Sequence, residues 1–366
     1  MPFPRHVESV SGTYWAAHPF RAGRSCKAFA RKRYIKGSFM KYEVERALAI
    51  ETVSKASHLC EAIRKELVSE ETLLKKDKSP VTVADFAVQA LVSLDLHRAF
   101  PADPLVAEED TLDFDTEGGA RLRDRVLHFV RAADPGVPEA QALSAIARGR
   151  HADRTARRYW VLDPIDGTKG FLRGEQYAIA LALIVEGEVV LGVLGGPNFP
   201  HSDGSKGCLF AAVAGQGAAM RALNSPREER ISVSQIADPT QAVFCESVES
   251  AHSAHDEAAR IAAVLGVAAP PLRMDSQCKY AAVARGDASI YLRLPTRADY
   301  EEKVWDHAAG WRLLKEAGGE VSDIYGRPLD FSLGPTLSAN TGVVATNGHL
   351  HAQVLAAIRQ VLSPPH

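Results

Sequence analysis

The longest apolar stretch of the chain runs from Tyr177 to Val185, stops at Glu186-Gly187, and is followed by Glu188 to Leu194 before Gly195-Gly196-Pro197. Two apolar runs joined by a short glycine-containing turn predict a β-hairpin. A spanning helix needs about 18 apolar residues in a row, so this run is far too short to cross a membrane. With 366 residues, and about 150 residues to a typical domain, the chain suits two domains or one large layered one. Its 46% hydrophobic and 24% charged residues exclude wholesale disorder and fibrous architectures.

The segments around the hairpin have a different rhythm. Ala49, Val53, Ala56, Cys60, Ile63 and Leu67 recur at spacings of four and three, the stripe of an amphipathic helix. A second helical pattern passes through Val88, Leu91 and Leu94 to Pro101. Arg158 to Leu162 reads as a strand, and 112–157 reads as an insertion containing a helix. From Asp238 onward, strands at 242–245, 287–294 and 342–346 alternate with helices at 254–265, 277–285, 304–317 and 349–362. Gly318 stands where a left-handed helix cap is expected. An α+β part, 40–237, is thus followed by an α/β part, 238–366.

Charge is unevenly spread. The formal net charge is −2, yet residues 1–39 hold eight basic groups against one acid, a balance of +7, leaving −9 for the rest. This leader lacks a secretory apolar core and reads either as an organelle transit segment or as a stretch outside the fold. Met40 opens the first patterned segment, so the fold is expected to begin there. No bulk positive field argues for nucleic acid, and a role for the leader there rests on its charge alone. Five scattered cysteines without a CxxC fit reduced thiols in an intracellular protein rather than a zinc site. The chain is expected in the cytoplasm, or in mitochondria if the leader is a transit peptide.

The acids carry the chemistry. Asp163-Pro164-Ile165-Asp166-Gly167-Thr168 follows the apolar Trp160-Val161-Leu162, so two carboxylates, a carbonyl and a hydroxyl converge where a buried strand ends in a tight turn. Oxygen donors of this kind suit Mg²⁺, although an acidic turn without a metal has the same look. A covalent aspartyl-phosphate mechanism would have the second Asp two residues after the first; here it is three, which favours a metal cradle. Glu108, beyond the apolar Leu105-Val106, is a second candidate ligand, whereas Asp110 reads as solvated loop. Thr82 with Asp85 reads as a capping box opening the second helix, which leaves Asp85 free to serve catalysis as well. Asp306 shares a helical face with Ala309, Gly310, Leu313 and Ala317. An acid on that face needs a cation, whether a metal approaching over the small residues, Lys303, or the helix start itself. Taken singly, Lys279 and Arg293 read as ordinary surface salt-bridge partners.

Asp85 in SPVTVAD, Glu108 in AEED, Asp163 to Thr168 in WVLDPIDGTKGF and Asp306 in WDHAAG resemble, in order and over about 40–350, the lithium-sensitive, magnesium-dependent phosphatases of the inositol monophosphatase superfamily. KGFLRGEQ from Lys169, DSQCKY from Asp275 and YLRLP from Tyr291 are similar to its 3′(2′),5′-bisphosphate nucleotidase branch. The resemblance implies a layered αβαβα sandwich and two to three Mg²⁺ ions. One ion would be held by Glu108, Asp163 and the Ile165 carbonyl, a second by Asp163, Asp166 and Asp306, and a third near Asp85 and Glu108. Thr168, hydrogen-bonded to Asp85, would handle the proton of the attacking water. Gly167, Thr168, Ser276, Lys279, Arg293 and Asp306 would contact the nucleotide, together with His252, whose register competes with that of His255. The implied reaction is hydrolysis of adenosine 3′,5′-bisphosphate to AMP and phosphate by a monomer, with 3′-phosphoadenylyl sulfate as a further substrate. An inositol polyphosphate 1-phosphatase and a non-catalytic nucleotide sensor are the alternatives.

Overall fold

The computed structural model describes residues 41–68, 79–109, 116–149, 156–248, 255–295, 297 and 300–362. The leader, Asp110 and His252 lie outside the described residues, as does the His255 side chain. The chain divides after Phe39, and residues 40–366 form one compact unit.

That unit opens with α1 (Glu43–Leu67), whose Ala49, Val53, Ala56, Cys60 and Ile63 are fully buried. Glu43 and Glu45 in its first turn and Arg64 and Lys65 in its last complement the helix dipole. Helix α2 (Ser79–Ala99) starts earlier than its sequence suggests. Thr82 lies inside the first turn, so Thr82 and Asp85 are not a capping box. Pro80 lacks an N–H and has a helical φ, which lets the first turn form ahead of them. The strand β1 (Leu105–Ala107) follows, and the described residues of the 112–157 insertion hold two helices, α3 (Glu117–Ala133) and α4 (Glu139–Ala147). Thr116 caps α3 by accepting from the Gly119 N–H at 3.0 Å.

The strand β2 (Arg158–Asp166) continues through the two acids rather than stopping at Leu162. Pro164 has no N–H to give the ladder, and the register with the next strand shifts between Asp163 and Asp166 before pairing resumes. After the short α5 (Thr168–Arg173) comes the hairpin of β3 (Ala178–Val185) and β4 (Glu188–Pro200), turning at Glu186-Gly187. Strands β5 (Lys206–Val213), β6 (Ala218–Ala222) and β7 (Glu229–Ile231) complete a sheet ordered β1-β2-β3-β4-β5-β6-β7. Only its β1–β2 pair is parallel.

The rest of the chain contributes β8 (Phe244–Glu246), α6 (His255–Val264), β9 (Leu272–Arg273), α7 (Cys278–Arg285), β10 (Ile290–Arg293), α8 (Ala308–Glu316), β11 (Glu320–Ser322), β12 (Val343–Thr346) and α9 (His351–Leu362). The second sheet runs β11-β12-β10-β8-β9. The helix expected over 304–317 is split: Val304–Asp306 is a 3₁₀ turn, His307 breaks the helical φ/ψ, and α8 begins after it. Gly318 takes the left-handed conformation expected of it, φ 95°.

Side-chain alternation along the strands sorts the core into layers. Trp160, Leu162, Ile179, Leu181 and Leu183 pack with α1 and α2, whereas Val161, Ala178, Ala180, Ala182 and Ile184 face α7 and α8. The other side of α7 and α8 meets Cys245, Tyr291, Val343 and Ala345 of the second sheet. Phe244, Ile290, Leu292 and Val344 point the opposite way, onto α6 and α9. The architecture is therefore the expected αβαβα sandwich. Contact between layers is close: a Cβ on Gly192 of β4 would come within 2.5 Å of the Ala309 carbonyl of α8. No helix among the described residues is long and apolar enough to cross a membrane.

Candidate active site

A cleft of about 380 Å³ opens where the end of β2, the start of α7, the end of β10 and the turn before α8 meet. Of the residues singled out from sequence, it is lined by Glu108, Asp163, Ile165, Asp166, Gly167, Thr168, Ser276, Lys279, Arg293 and Asp306. Asp85 does not line it. That residue is buried in α2, within electrostatic reach of Glu108 and Glu109.

One wall is acidic and short of positive charge. Asp163 is 2% exposed, and its Oδ1 is buried without a hydrogen-bond partner. Burial, then the charges of Glu108, Asp166 and Asp306, push its carboxyl well above the ordinary range. Burial and the nearby acids, Asp306 foremost, lift Glu108 to about 7, although its side chain is open to the cleft. Burial and Asp306 lift Asp166 to about 6 against the opposing pull of Lys279 and of the Gln277 N–H, which donates to its Oδ2 at 2.6 Å. Burial, Glu109 and Glu108 drive Asp85 up as well. An all-oxygen donor set, mutual repulsion and an orphaned buried carboxylate oxygen together fit a hard divalent cation.

The opposite wall is cationic. Lys279 on α7 is only 5% exposed, its ammonium 5.2 Å from the centre of the Tyr291 ring, and burial lowers its pKa. Arg293, at the end of β10, places Nε 2.8 Å from Glu302 and Nη2 2.9 Å from Asp306. Asp306 thus sits half-buried in the 3₁₀ turn, paired with Arg293 rather than Lys303 and off the buried face of α8. The small residues near it serve helix packing instead, since a Cβ on Gly310 would lie 2.4 Å from the Tyr280 ring. Among the described residues, the one trio of metal-type donors within 4.8 Å of one another is Glu302, Asp306 and His307. Arg293 neutralises that trio. His307 bridges Glu302 at 3.1 Å and the Tyr280 hydroxyl at 2.8 Å, forming a buried relay behind the guanidinium.

The turn that presents Thr168 has little freedom. Gly167 adopts φ 89°, and a Cβ there would lie 3.0 Å from the Cβ of Ser276. Ser276 is itself left-handed, φ 68°, a costly conformation for a residue other than glycine. The Thr168 side chain is exposed to the cleft, and no Thr168–Asp85 hydrogen bond is present among the described residues. Several supports were not singled out from sequence. Gln89 on α2 exchanges two hydrogen bonds with the backbone of Glu109, tying the Glu108 loop to the turn after Asp85. Asp275 binds Arg173 at 2.5 Å and accepts from the Val248 N–H. Glu302 anchors Arg293. Gln89 alone carried a signal, an amide within an apolar helical segment; Asp275 and Glu302 stand among polar neighbours.

Residues 41–363 match the model of the inositol monophosphatase family. The chain belongs to this family. It is 42% identical over 352 residues to the 3′(2′),5′-bisphosphate nucleotidase of Emericella nidulans, covering 88% of this chain and 99% of that protein. It is 45% identical over 341 residues to the enzyme of the same name from Oryza sativa, covering 88% and 95%. Within the family it therefore groups with the bisphosphate nucleotidases. The fold is shared with inositol monophosphatase from Anabaena (TM-score 0.57, 21% identity, 89% of this chain and 98% of that one) and with that from Thermotoga maritima (TM-score 0.58, 20% identity, 87% and 98%).

Proposed function

We propose that this chain is a Mg²⁺-dependent phosphatase that hydrolyses the 3′-phosphate of adenosine 3′,5′-bisphosphate to give AMP and phosphate, with 3′-phosphoadenylyl sulfate as a second substrate. The observation that carries this reading is the pairing, in one cleft, of a cation-hungry acidic wall with the buried Lys279 and the half-buried Arg293. A monophosphate would leave the cationic wall unused. A bisphosphate fits both, its scissile phosphate at the acids and its other phosphate on Lys279 and Arg293.

Glu108, Asp163, Asp166, Asp306 and the Ile165 carbonyl would hold two ions, with Asp85 and Glu108 near a third. When bound, these ions supply charge for the phosphoryl oxygens and acidify the attacking water. The Thr168 hydroxyl would take a proton from that water at Oγ1 and pass its own toward the Asp85 carboxylate. The water oxygen bonds to phosphorus as the bond to the 3′ oxygen breaks, and the ribose alkoxide takes its proton from solvent water reaching the open cleft. No side chain becomes phosphorylated. Ser276 and His252 contact the nucleotide, and Gly167 leaves room for the phosphate beside the backbone. We read the protein as a monomer acting on a small-molecule nucleotide, without nucleic acid or membrane partners. The site would be built from 40–237 and completed by 238–366. Its place would be the cytoplasm, or mitochondria if 1–39 directs it there.

The test is Mg²⁺-dependent phosphate release from adenosine 3′,5′-bisphosphate, 3′-phosphoadenylyl sulfate, AMP and an inositol polyphosphate, with and without Li⁺. The expected result is preference for the bisphosphonucleotide, suppressed by Li⁺. Faster release from the inositol polyphosphate would reassign the substrate, and no release from any would make the chain a sensor.

A further inference from the structure

Asp166 and Asp306 reach the cleft from different layers, and one buried residue binds the first through its backbone and the surroundings of the second through its side chain. Gln277, 2% exposed, stands at the entry to α7. Its backbone N–H donates to Asp166 Oδ2 at 2.6 Å. Its side-chain Nε2 donates to the Trp305 carbonyl at 2.7 Å, and its Oε1 accepts from the Gly310 N–H at 2.9 Å. Trp305 and Gly310 bracket Asp306 in sequence. The break at His307 separates the 3₁₀ turn from α8, and the first turn of any helix leaves N–H groups without partners inside the helix. Gln277 supplies a partner on each side of this break.

A primary amide suits the task because it donates and accepts from one planar group. An ionised carboxylate only accepts, and a thioether does neither usefully. The amide is also held in place. The left-handed Ser276 before it aims its N–H at Asp166, and the absent Cβ of Gly310 lets α8 press against Tyr280 of α7. We propose that Gln277 is a positioning residue that sets the separation of the Asp166 and Asp306 carboxylates, and through it the affinity for the divalent ion they share. This rests on the reading of those acids as metal ligands.

The test measures binding on the full chain without substrate, then turnover with it. Wild type, Gln277→Met and Gln277→Asn are titrated with Mg²⁺ by calorimetry, with circular dichroism melting to confirm folding. Gln277→Met matches the length of the side chain but loses both side-chain bonds. Gln277→Asn keeps the amide, one methylene short, and covers the case in which the first variant does not fold. Affinity should fall roughly 10- to 100-fold in Gln277→Met, the range typical of groups that orient metal ligands, and by less in Gln277→Asn. The Mg²⁺ concentration for half-maximal phosphate release should rise, while KM for the nucleotide at saturating Mg²⁺ stays near wild type. Folded variants with the wild-type Mg²⁺ isotherm would overturn the inference, as would a loss of kcat that is the same at every Mg²⁺ concentration. A wild-type protein that binds no Mg²⁺ would remove the metal reading and this inference with it, whereas wild-type binding unchanged in the variants removes this inference alone.

Discussion

Arg293 donates to the Asp306 carboxylate at 2.9 Å while its Nε stays on Glu302 at 2.8 Å. The same guanidinium therefore borders the metal wall and the cationic wall of the cleft, and its position is fixed from behind by a carboxylate that is only 3% exposed.

Replacing Arg293 with Ala should affect bisphosphate turnover selectively. A hydrogen bond to a charged group is worth about 1.5–3 kcal/mol, or roughly 10- to 100-fold in kcat/KM. Steady-state kinetics should show that loss with adenosine 3′,5′-bisphosphate, and a much smaller one with a nucleoside monophosphate.

Thr168→Val should separate proton handling from metal binding. The valine keeps the shape and removes the hydroxyl, so kcat should fall by about 10²- to 10⁴-fold, the usual contribution of a positioned acid or base. Mg²⁺ binding measured by calorimetry should be unchanged, and Thr168→Ser should recover part of the rate.

Without divalent ions the acids should make stability depend on pH in a defined direction. Glu108 is lifted from 4.5 to about 7, and Asp166 from 3.8 to about 6, in the folded protein. The folded state then binds more protons than the unfolded state, so stability is greatest below the unfolded values and declines as pH rises through the folded ones. Melting in EDTA should show Tm falling from about pH 4 to about pH 7 from this source. Added Mg²⁺ should raise Tm more at pH 7.5 than at pH 5. A Tm in EDTA that climbs across that window, with no larger Mg²⁺ effect at the higher pH, would contradict the acid cluster.

Gly310→Ala should destabilise the fold itself. The new methyl would meet Tyr280 Cδ2 at 2.4 Å, in a region where α7, α8 and both sheets leave little room to yield. Overpacking of this kind costs about 1–3 kcal/mol, readable as a lower denaturant midpoint with unchanged slope.

Much of this architecture was legible because its signals are local. The α1 stripe, the β3–β4 hairpin and the acids beside Leu162 each lie within one short segment, and the structure has them where the periodicity indicates. The misreadings arose where distant groups decide. Thr82 and Asp85 look like a cap until Pro80 is seen to start α2 earlier. Asp306 looks like a residue of α8 until Gln277 and Arg293 hold it in a separate turn. Gln277, although inside DSQCKY, and Glu302 show no periodicity that marks their roles, because their partners lie on other elements and, for the Gln277 side chain, are backbone groups that any residue would provide.

Strand β12 lies between β11 and β10 in the second sheet. Arg293 pairs with Val343 across that join, so the guanidinium that grips Asp306 is anchored on a ladder whose other strand comes from much later in the sequence. A chain interrupted before residue 343 would carry Asp163 and Asp166 with no settled counterpart opposite them. A chain truncated before β12 should therefore release no phosphate from the nucleotide.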